Sequence, residues 1–119
     1  MGVRILIAED NYTLRRLYLK SLENFDAEII EADSAKETME LVSSDMFDMV
    51  ICDIEMGDGM NFETIEAAAG MGIPVIAISA FENYADECLR RGATTFFSKP
   101  FPTRTLANAV RAQFEAPTG

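Results

Sequence analysis

The sequence has 119 residues, a net charge of −10, and hydrophobic and charged contents of 49% and 25%. This length and composition predict a single soluble domain over residues 1–119, with no room for a second folded module. They argue against direct binding to nucleic acid, which requires clustered Lys and Arg, and against a membrane protein, because every apolar run is short. Since the N-terminus shows no secretory signal, we expect a cytoplasmic protein.

Two residue counts restrict the chemistry that this chain can perform. The absence of histidine excludes a Ser-His-Asp triad, a histidine metal site and a histidine phosphocarrier. The two cysteines, Cys52 and Cys88, fall inside strand-like and helix-like patterns, where a small buried side chain is the ordinary interpretation. Any phosphoryl chemistry must therefore rest on carboxylates.

The first half of the chain alternates strand and helix patterns. In chain order these are a strand β1 at Val3 to Ala8, a helix α1 with apolar positions from Leu14 to Phe25, a strand β2 at Ala27 to Glu31, a helix α2 opened by the capping box Ser34 to Glu37, and a strand β3 at Phe47 to Cys52. Each strand is almost continuously apolar, which is typical of strands buried on both faces.

The second half continues the alternation. It predicts a helix α3 at Phe62 to Ala69, a strand β4 at Pro74 to Ile78, a helix α4 at Asn83 to Arg91, a strand β5 at Thr94 to Phe97, a helix α5 from Thr103, and a frayed tail at residues 116–119. Strands that alternate with helices through short connections predict a doubly wound α/β fold with a parallel sheet.

Polar groups follow four of these strands at the point where each one ends. Glu9-Asp10 follows β1, Asp53 follows β3, Ser79 follows β4, and Ser98-Lys99-Pro100 follows β5. The carboxyl ends of parallel strands lie along one edge of the sheet, where open α/β folds place their ligand sites. We therefore expect three carboxylates, a hydroxyl and an ammonium to converge.

This set of groups suits the binding of a divalent cation and the acceptance of a phosphoryl group. Carboxylates about 5 Å apart repel by roughly 3 kcal/mol per pair at an effective dielectric of 20, and a hard cation such as Mg²⁺ relieves that repulsion. Lys99 and Ser79 add a positive charge and a hydrogen-bond donor for phosphoryl oxygens. Taken singly, Asp10 or Asn11 could be only the N-cap of α1, and Gly57-Asp58-Gly59 is explained as a turn.

With these motifs the sequence resembles, over essentially its whole length, the response-regulator receiver domains of two-component signalling. The matching motifs are Glu9-Asp10, Asp53, Ser79-Ala80 and Lys99-Pro100-Phe101. The resemblance implies a flavodoxin-like fold with a five-stranded parallel sheet of order 2-1-3-4-5. It also implies that Asp53 is the phosphoacceptor and that Mg²⁺ is held by Glu9, Asp10, Asp53 and the backbone carbonyl of Glu55.

The resemblance further implies which residues respond to phosphorylation. Ser79 and Lys99 would contact the phosphoryl group, Ser79 and Phe96 would form the switch, and the peptide bond before Pro100 would be cis. Three positions depart from the family pattern. Gly57 stands where proline is usual, Phe96 replaces the commoner tyrosine, and Glu55 adds a carboxylate beside the phosphoacceptor.

The resemblance implies a phosphoryl-accepting switch rather than an enzyme that acts on a separate substrate. Its donor would be a sensor histidine kinase or a histidine phosphotransfer protein, and an unidentified protein would recognise the α4-β5-α5 face of a monomer or a phosphorylation-dependent dimer. Self-catalysed phosphoryl acceptance and hydrolysis would be its only reactions.

Three other classes fit the sequence less well. A haloacid-dehalogenase-like phosphatase would carry D-x-D after the first strand, whereas Asp53-Ile54-Glu55 follows the third. A flavodoxin-like cofactor protein would not place Glu9-Asp10-Asn11 where a phosphate must be attracted. A degenerate receiver used only for docking would lack a site residue, and none is missing here.

Overall fold

The computed structural model describes residues 2–115, and these form five principal strands and five α-helices. The strands are β1 Val3–Ala8, β2 Ala27–Ala32, β3 Met49–Asp53, β4 Val75–Ser79 and β5 Thr95–Ser98. The helices are α1 Tyr12–Ser21, α2 Ala35–Ser44, α3 Phe62–Gly70, α4 Ala85–Arg90 and α5 Thr103–Phe114. The fraying predicted for residues 116–119 concerns a segment outside the described residues.

The five strands form one parallel sheet in the order β2-β1-β3-β4-β5, which confirms the predicted fold class and strand order. Its register aligns Ala8 with Cys52, Asp53 with Ile78 and Ser79 with Ser98. The last residues of neighbouring strands therefore lie at nearly the same height along the sheet. This alignment creates a single carboxyl edge on which polar residues can meet.

Side chains alternate between two hydrophobic layers because successive residues of a strand point to opposite faces of the sheet. Ile5 and Ile7 belong to a buried cluster with residues of α1 and α5, whereas Leu6 and Ala8 belong to a second cluster with residues of α2, α3 and α4. Every residue of β3 is buried. The sheet is thus a central layer covered on both faces, as its continuous apolar strands predicted.

Local capping explains where the first two helices begin. The Asn11 side chain accepts the Leu14 N–H at 2.9 Å, so Asn11 rather than Asp10 is the N-cap of α1. Ser34 is the predicted N-cap of α2, since its Oγ accepts the Glu37 N–H at 3.0 Å. The reciprocal bond of a capping box differs from the prediction, because the Glu37 carboxylate accepts the Asp33 N–H at 3.0 Å. Because Asn11 caps α1, the Asp10 carboxylate remains available for another role.

Several boundaries differ from those that the sequence pattern predicted: β2 ends at Ala32, and β4 and β5 each begin and end one residue later. Strand β3 begins at Met49 rather than Phe47. The first turn of the predicted α4 is a separate 3₁₀ turn, Glu82–Tyr84. The loop after Asp53 contains a short antiparallel hairpin in which Glu55–Met56 pairs with Gly59–Met60. These boundaries depend on tertiary hydrogen bonds, which cannot be read from hydrophobic periodicity.

None of the helices described for residues 2–115 has the length and apolarity needed to cross a bilayer. Apolar side chains of the strands are buried under helices on both faces. Burial of this kind is the main favourable contribution to folding.

Replacing Gly92 by alanine is expected to destabilise the protein by about 2 kcal/mol or more. Gly92 ends the turn after α4 with φ +114°, and a Cβ built there would lie 2.5 Å from the Ala69 Cβ. Both the backbone strain and the overlap oppose a side chain. Urea unfolding of Gly92→Ala against the native protein measures the loss.

Gly70→Ala is the matched control for this substitution. Gly70 is the last residue of α3, and a Cβ there would have no neighbour within 4 Å. Alanine should therefore be neutral or stabilise by up to about 1 kcal/mol, since it restricts the unfolded chain. Equal stability changes in the two variants would contradict the explanation.

Candidate functional site

The polar residues predicted to converge do so at the carboxyl edge of the sheet. Glu9 and Asp10 directly follow β1, Asp53 is the last residue of β3, Ser79 ends β4, and Lys99 directly follows β5. Backbone hydrogen bonds fix these ends to one another: the Ile54 N–H donates to the Ile78 carbonyl at 2.8 Å, and the Lys99 N–H donates to the Ser79 carbonyl at 2.8 Å. The edge is therefore held by the sheet itself.

Three carboxylates form a compact acidic cluster. Glu9, Asp10 and Asp53 each place an oxygen within 4.8 Å of the other two, with Glu9 and Asp53 buried and Asp10 exposed. At that separation each ionised pair repels by about 3 kcal/mol at an effective dielectric of 20. Such a cluster needs positive charge, and its oxygen-only donor set suits a hard divalent cation.

Lys99 supplies part of that charge. Its Nζ lies 2.6 Å from Asp53 Oδ2 and 2.9 Å from Glu9 Oε1. Burial of the ammonium works to lower the pKa of Lys99, but the hydrogen bonds to Asp53 and Glu9 outweigh it and raise that pKa above its ordinary value. Lys99 therefore stays charged between the two buried carboxylates.

Glu9 is held in place by the loop that follows it. The Asn11 N–H donates to Glu9 Oε2 at 3.0 Å, and Arg15 Nη1 donates to the Glu9 backbone carbonyl at 2.8 Å. Together with Lys99, these contacts give both Glu9 carboxylate oxygens a donor. A buried carboxylate with both oxygens satisfied is fixed in orientation.

Asp53 is satisfied on one oxygen only. It is 2% exposed, and its Oδ1 has no hydrogen-bond partner among the described residues. Burial, opposed by the hydrogen bond from Lys99 and assisted by the neighbouring Glu9 carboxylate, raises the pKa of the Asp53 carboxyl to about 7. Because an unpaired buried oxygen is costly, Oδ1 is the atom best placed to gain a bond from a cation or a phosphorus atom.

The side chain of Glu55 takes a position that the sequence did not predict. Its carboxylate accepts the Ser79 hydroxyl at 2.6 Å and the Ala80 N–H at 2.9 Å. The Ser79 oxygen also accepts the Phe81 N–H at 2.9 Å. The family resemblance implies a backbone role and an added charge for Glu55, and no local sequence pattern indicates that its side chain reaches the end of β4.

Asn61 is a second residue whose role no sequence pattern predicted. It is 1% exposed, its Nδ2 donates to the Asp53 backbone carbonyl at 2.9 Å, and its Oδ1 accepts the Thr64 hydroxyl at 3.2 Å. An asparagine directly before α3 predicts an N-cap, yet this side chain makes no cap hydrogen bond. It instead secures the backbone of the residue that carries the unpaired carboxylate oxygen.

The loop after Asp53 is fixed at its tip as well. The Asp58 carboxylate accepts the N–H groups of Ala35 and Lys36 at 2.7 and 3.1 Å, and these hydrogen bonds lower the pKa of Asp58. A Cβ at Gly57 would lie 3.3 Å from Asp10 Oδ2. The hairpin therefore bridges the start of α2 and the acidic cluster, with Gly57 leaving space for the Asp10 carboxylate.

The remaining predicted residues lie on β5 and just beyond it. Phe96 pairs with Ala77 of β4 and packs, half-buried, against the hydrophobic cluster under α3 and α4. The peptide bond between Lys99 and Pro100 is cis. The structure thus brings Glu9, Asp53 and Lys99 into contact, places Ser79 against Glu55, and leaves Phe96 in the neighbouring apolar layer.

The family model of the response regulator receiver domain matches residues 5–111. The two-component response regulator ARR18 of Arabidopsis thaliana is 31% identical over 113 residues, which are 91% of this chain and 18% of that protein. The transcriptional regulatory protein KdpE of Escherichia coli (strain K12) is 30% identical over 110 residues, which are 90% of this chain and 49% of that protein. The chain thus spans about half or less of the length of these relatives.

Solved structures share the fold at lower identity. The receiver domain of the Francisella response regulator 1452 superposes with a TM-score of 0.84 at 21% identity, covering 96% of this chain and 98% of that one. The receiver domain of sensor histidine kinase PA1611 from Pseudomonas aeruginosa PAO1, solved with magnesium in its active site cleft, gives 0.82 at 17% identity and covers 98% and 100%. CheY4 of Vibrio cholerae gives 0.83 at 21% identity and covers 96% and 100%.

The family assignment agrees with the order of the strands and with the acidic residues at their carboxyl edge. It extends over nearly all of the residues that the structure describes. This chain belongs to the response regulator receiver domain family.

Proposed function

We propose that this chain is a signalling switch in which Asp53 accepts a phosphoryl group from a sensor histidine kinase or a histidine phosphotransfer protein. The observation that carries the proposal is the buried Asp53 carboxylate, with Oδ2 on the Lys99 ammonium and Oδ1 unpaired in the part of the chain that the structure describes. One oxygen is charge-balanced, and the other is free to form a bond. This division suits a nucleophile that must react without being displaced from its position.

In the proposed reaction an Asp53 oxygen attacks phosphorus, and the P–N bond of the phosphohistidine breaks as its electron pair moves to the leaving nitrogen. Lys99, 2.6 Å from Asp53, offsets the charge that is added at the acceptor. The Ser79 hydroxyl offers a donor to the transferred oxygens. Later attack of water on phosphorus breaks the P–O bond to Asp53, releases inorganic phosphate and restores the carboxylate, so the chain itself is the acceptor and no separate substrate is needed.

We propose Mg²⁺ as the cofactor, held by Glu9, Asp10, Asp53 and the backbone carbonyl of Glu55. The clustering of three carboxylate oxygens within 4.8 Å and the unpaired Asp53 Oδ1 support this fit. A bound divalent cation supplies charge neutralisation at the phosphoryl oxygens. The presence of magnesium in the active site cleft of the PA1611 receiver domain supports the same choice.

The output surface is proposed to be the face formed by α4, β5 and α5. Ser79 at the end of β4 and Phe96 on β5 belong to neighbouring strands, and Leu89 on α4 is 49% exposed. A phosphoryl group carries about −1.5 to −2 charges at neutral pH and draws Ser79 and Lys99 toward it, which changes the space open to the Phe96 ring. Because phenylalanine has no hydroxyl to bond in either state, we expect a weak bias between two existing conformations.

Incubation with acetyl phosphate and Mg²⁺ should add one phosphoryl group to the native protein and none to Asp53→Asn. Glu9 and Asp10 are needed as ionised metal ligands, which leaves Asp53 as the only acceptor. Intact mass spectrometry measures the modification. Persistence of the added mass in Asp53→Asn would show that Asp53 is not the phosphoacceptor.

Millimolar Mg²⁺ should raise the melting temperature of the native protein, because binding to the folded state stabilises it by about 2.7 kcal/mol at a hundredfold excess over Kd. Asp10→Asn should abolish this gain and raise the stability of the metal-free protein, since it removes one of the repelling carboxylates. Scanning calorimetry with and without Mg²⁺ measures both effects.

Asp26→Asn provides the control for charge in the Mg²⁺ experiment. Asp26 precedes β2 at the opposite end of the sheet and is exposed. Its substitution removes the same charge without touching the acidic cluster, so the Mg²⁺ response should be retained. A melting temperature of the native protein that does not change on addition of Mg²⁺ would count against the metal site.

Addition of beryllofluoride and Mg²⁺ should change hydrogen exchange across residues 80–97, because the charge at Asp53 acts through Ser79 and Phe96 on α4 and β5. Hydrogen-exchange mass spectrometry of native protein and of Asp53→Asn measures the response. Changes confined to the loop after Asp53, with residues 80–97 unaffected, would show that the proposed route from site to surface is wrong.

A further inference from the structure

The Glu55 carboxylate is bound to two donors that the proposed reaction also needs. Ser79 Oγ donates to Oε2 at 2.6 Å, and the Ala80 N–H donates to Oε1 at 2.9 Å. Ser79 is 0% exposed, so its hydroxyl has no solvent partner in this arrangement. Both oxygens of one internal carboxylate are thus held at the end of β4.

A hydroxyl and a backbone N–H directed at adjacent anionic oxygens are a donor set that also suits phosphoryl oxygens. Residues Asp53 and Ser79 end neighbouring strands, so this donor pair lies beside the proposed acceptor. The carboxylate of Glu55 therefore stands in for an anion at a site where a transferred phosphoryl group would require the same hydrogen bonds.

Glu55 brings negative charge to this site without a cation of its own. Within residues 2–115 its carboxylate forms no ion pair with Lys or Arg, and Lys99 is already bound to Glu9 and Asp53. Its position depends on the two donors of Ser79 and Ala80. A second anion can use those donors only if Glu55 leaves them, because the Ser79 hydroxyl and the Ala80 N–H each have one hydrogen and both are directed at Glu55.

We infer that Glu55 is a specificity-determining residue of the site: its carboxylate occupies the Ser79–Ala80 donor pair in the resting protein, and the oxygens of an incoming phosphoryl group displace it. The inference rests on the proposed function, since it requires transfer to Asp53. Displacement opposes small phosphoryl donors, which have few other contacts. A phosphorylated protein that also binds the surface of this chain presents its phosphoryl group at a far higher effective concentration and overcomes the competition.

Phosphorylation by acetyl phosphate with Mg²⁺ tests the inference in Glu55→Gln. In this step an Asp53 oxygen forms a bond to phosphorus, and acetate leaves with the electron pair of the broken P–O bond. Glutamine keeps the size of the side chain but lacks its charge, and a charged acceptor makes hydrogen bonds about twice as strong as a neutral one. We therefore expect Glu55→Gln to be phosphorylated about tenfold faster than the native protein.

Glu40→Gln is the matched control, because Glu40 is exposed on α2 and its substitution makes the same change in net charge away from the site. Its rate should equal that of the native protein. A second measurement needs neither metal nor donor. The NMR resonance of the Ala80 amide proton should shift upfield in Glu55→Gln, where its charged acceptor is lost, and stay in place in Glu40→Gln.

The outcomes separate the two proposals. A Glu55→Gln rate equal to or below the native rate, with native protein modified at Asp53, overturns the inference and leaves the proposed function intact. An unshifted Ala80 resonance in Glu55→Gln overturns the inference whatever the rates are. If none of the three proteins is modified at Asp53, the proposed function fails and the inference fails with it.

Discussion

One ammonium group holds the acidic edge of this sheet together. The Lys99 Nζ lies 2.9 Å from Glu9 and 2.6 Å from Asp53, and both carboxylates are nearly excluded from solvent. Two buried anions without a counter-charge would repel strongly and resist folding. In the sheet order, β3 and β4 lie between the strands that carry Glu9 and Lys99. The ion pairs therefore connect distant strands across the edge at which Asp53 lies.

The Asp53 carboxylate is fixed in position but has only one of its two oxygens hydrogen-bonded among the described residues. Asn61 holds its backbone carbonyl, and the sheet holds the neighbouring Ile54 N–H on Ile78. Lys99 holds Oδ2, whereas no donor within residues 2–115 reaches Oδ1. A carboxylate that is fixed in position, raised in pKa by burial and unpaired on one oxygen gains more from a new bond than a solvated one does.

The loop after Asp53 contributes as much to this site as the strand ends do. Its hairpin sends the Glu55 side chain to the Ser79 hydroxyl, and Asp58 ties its tip to the first N–H groups of α2. Gly57 approaches the Asp10 carboxylate closely. The departures from the family pattern at Glu55 and Gly57 are thus concentrated in one small structure. That structure governs how crowded and how negatively charged the surroundings of Asp53 are.

The sequence by itself determined the fold class, the strand order implied by family resemblance, and the convergence of Glu9, Asp53 and Lys99, because buried parallel strands must place their carboxyl ends on one edge. Tertiary structure decided which atoms meet there. Lys99 and Glu9 are 90 residues apart, and the hydrogen bonds of Glu55 to Ser79 and of Asn61 to Asp53 depend on side-chain orientation within a packed loop. Hydrophobic periodicity records which face of a strand or helix is buried, and it contains no information on which polar atoms become partners across elements.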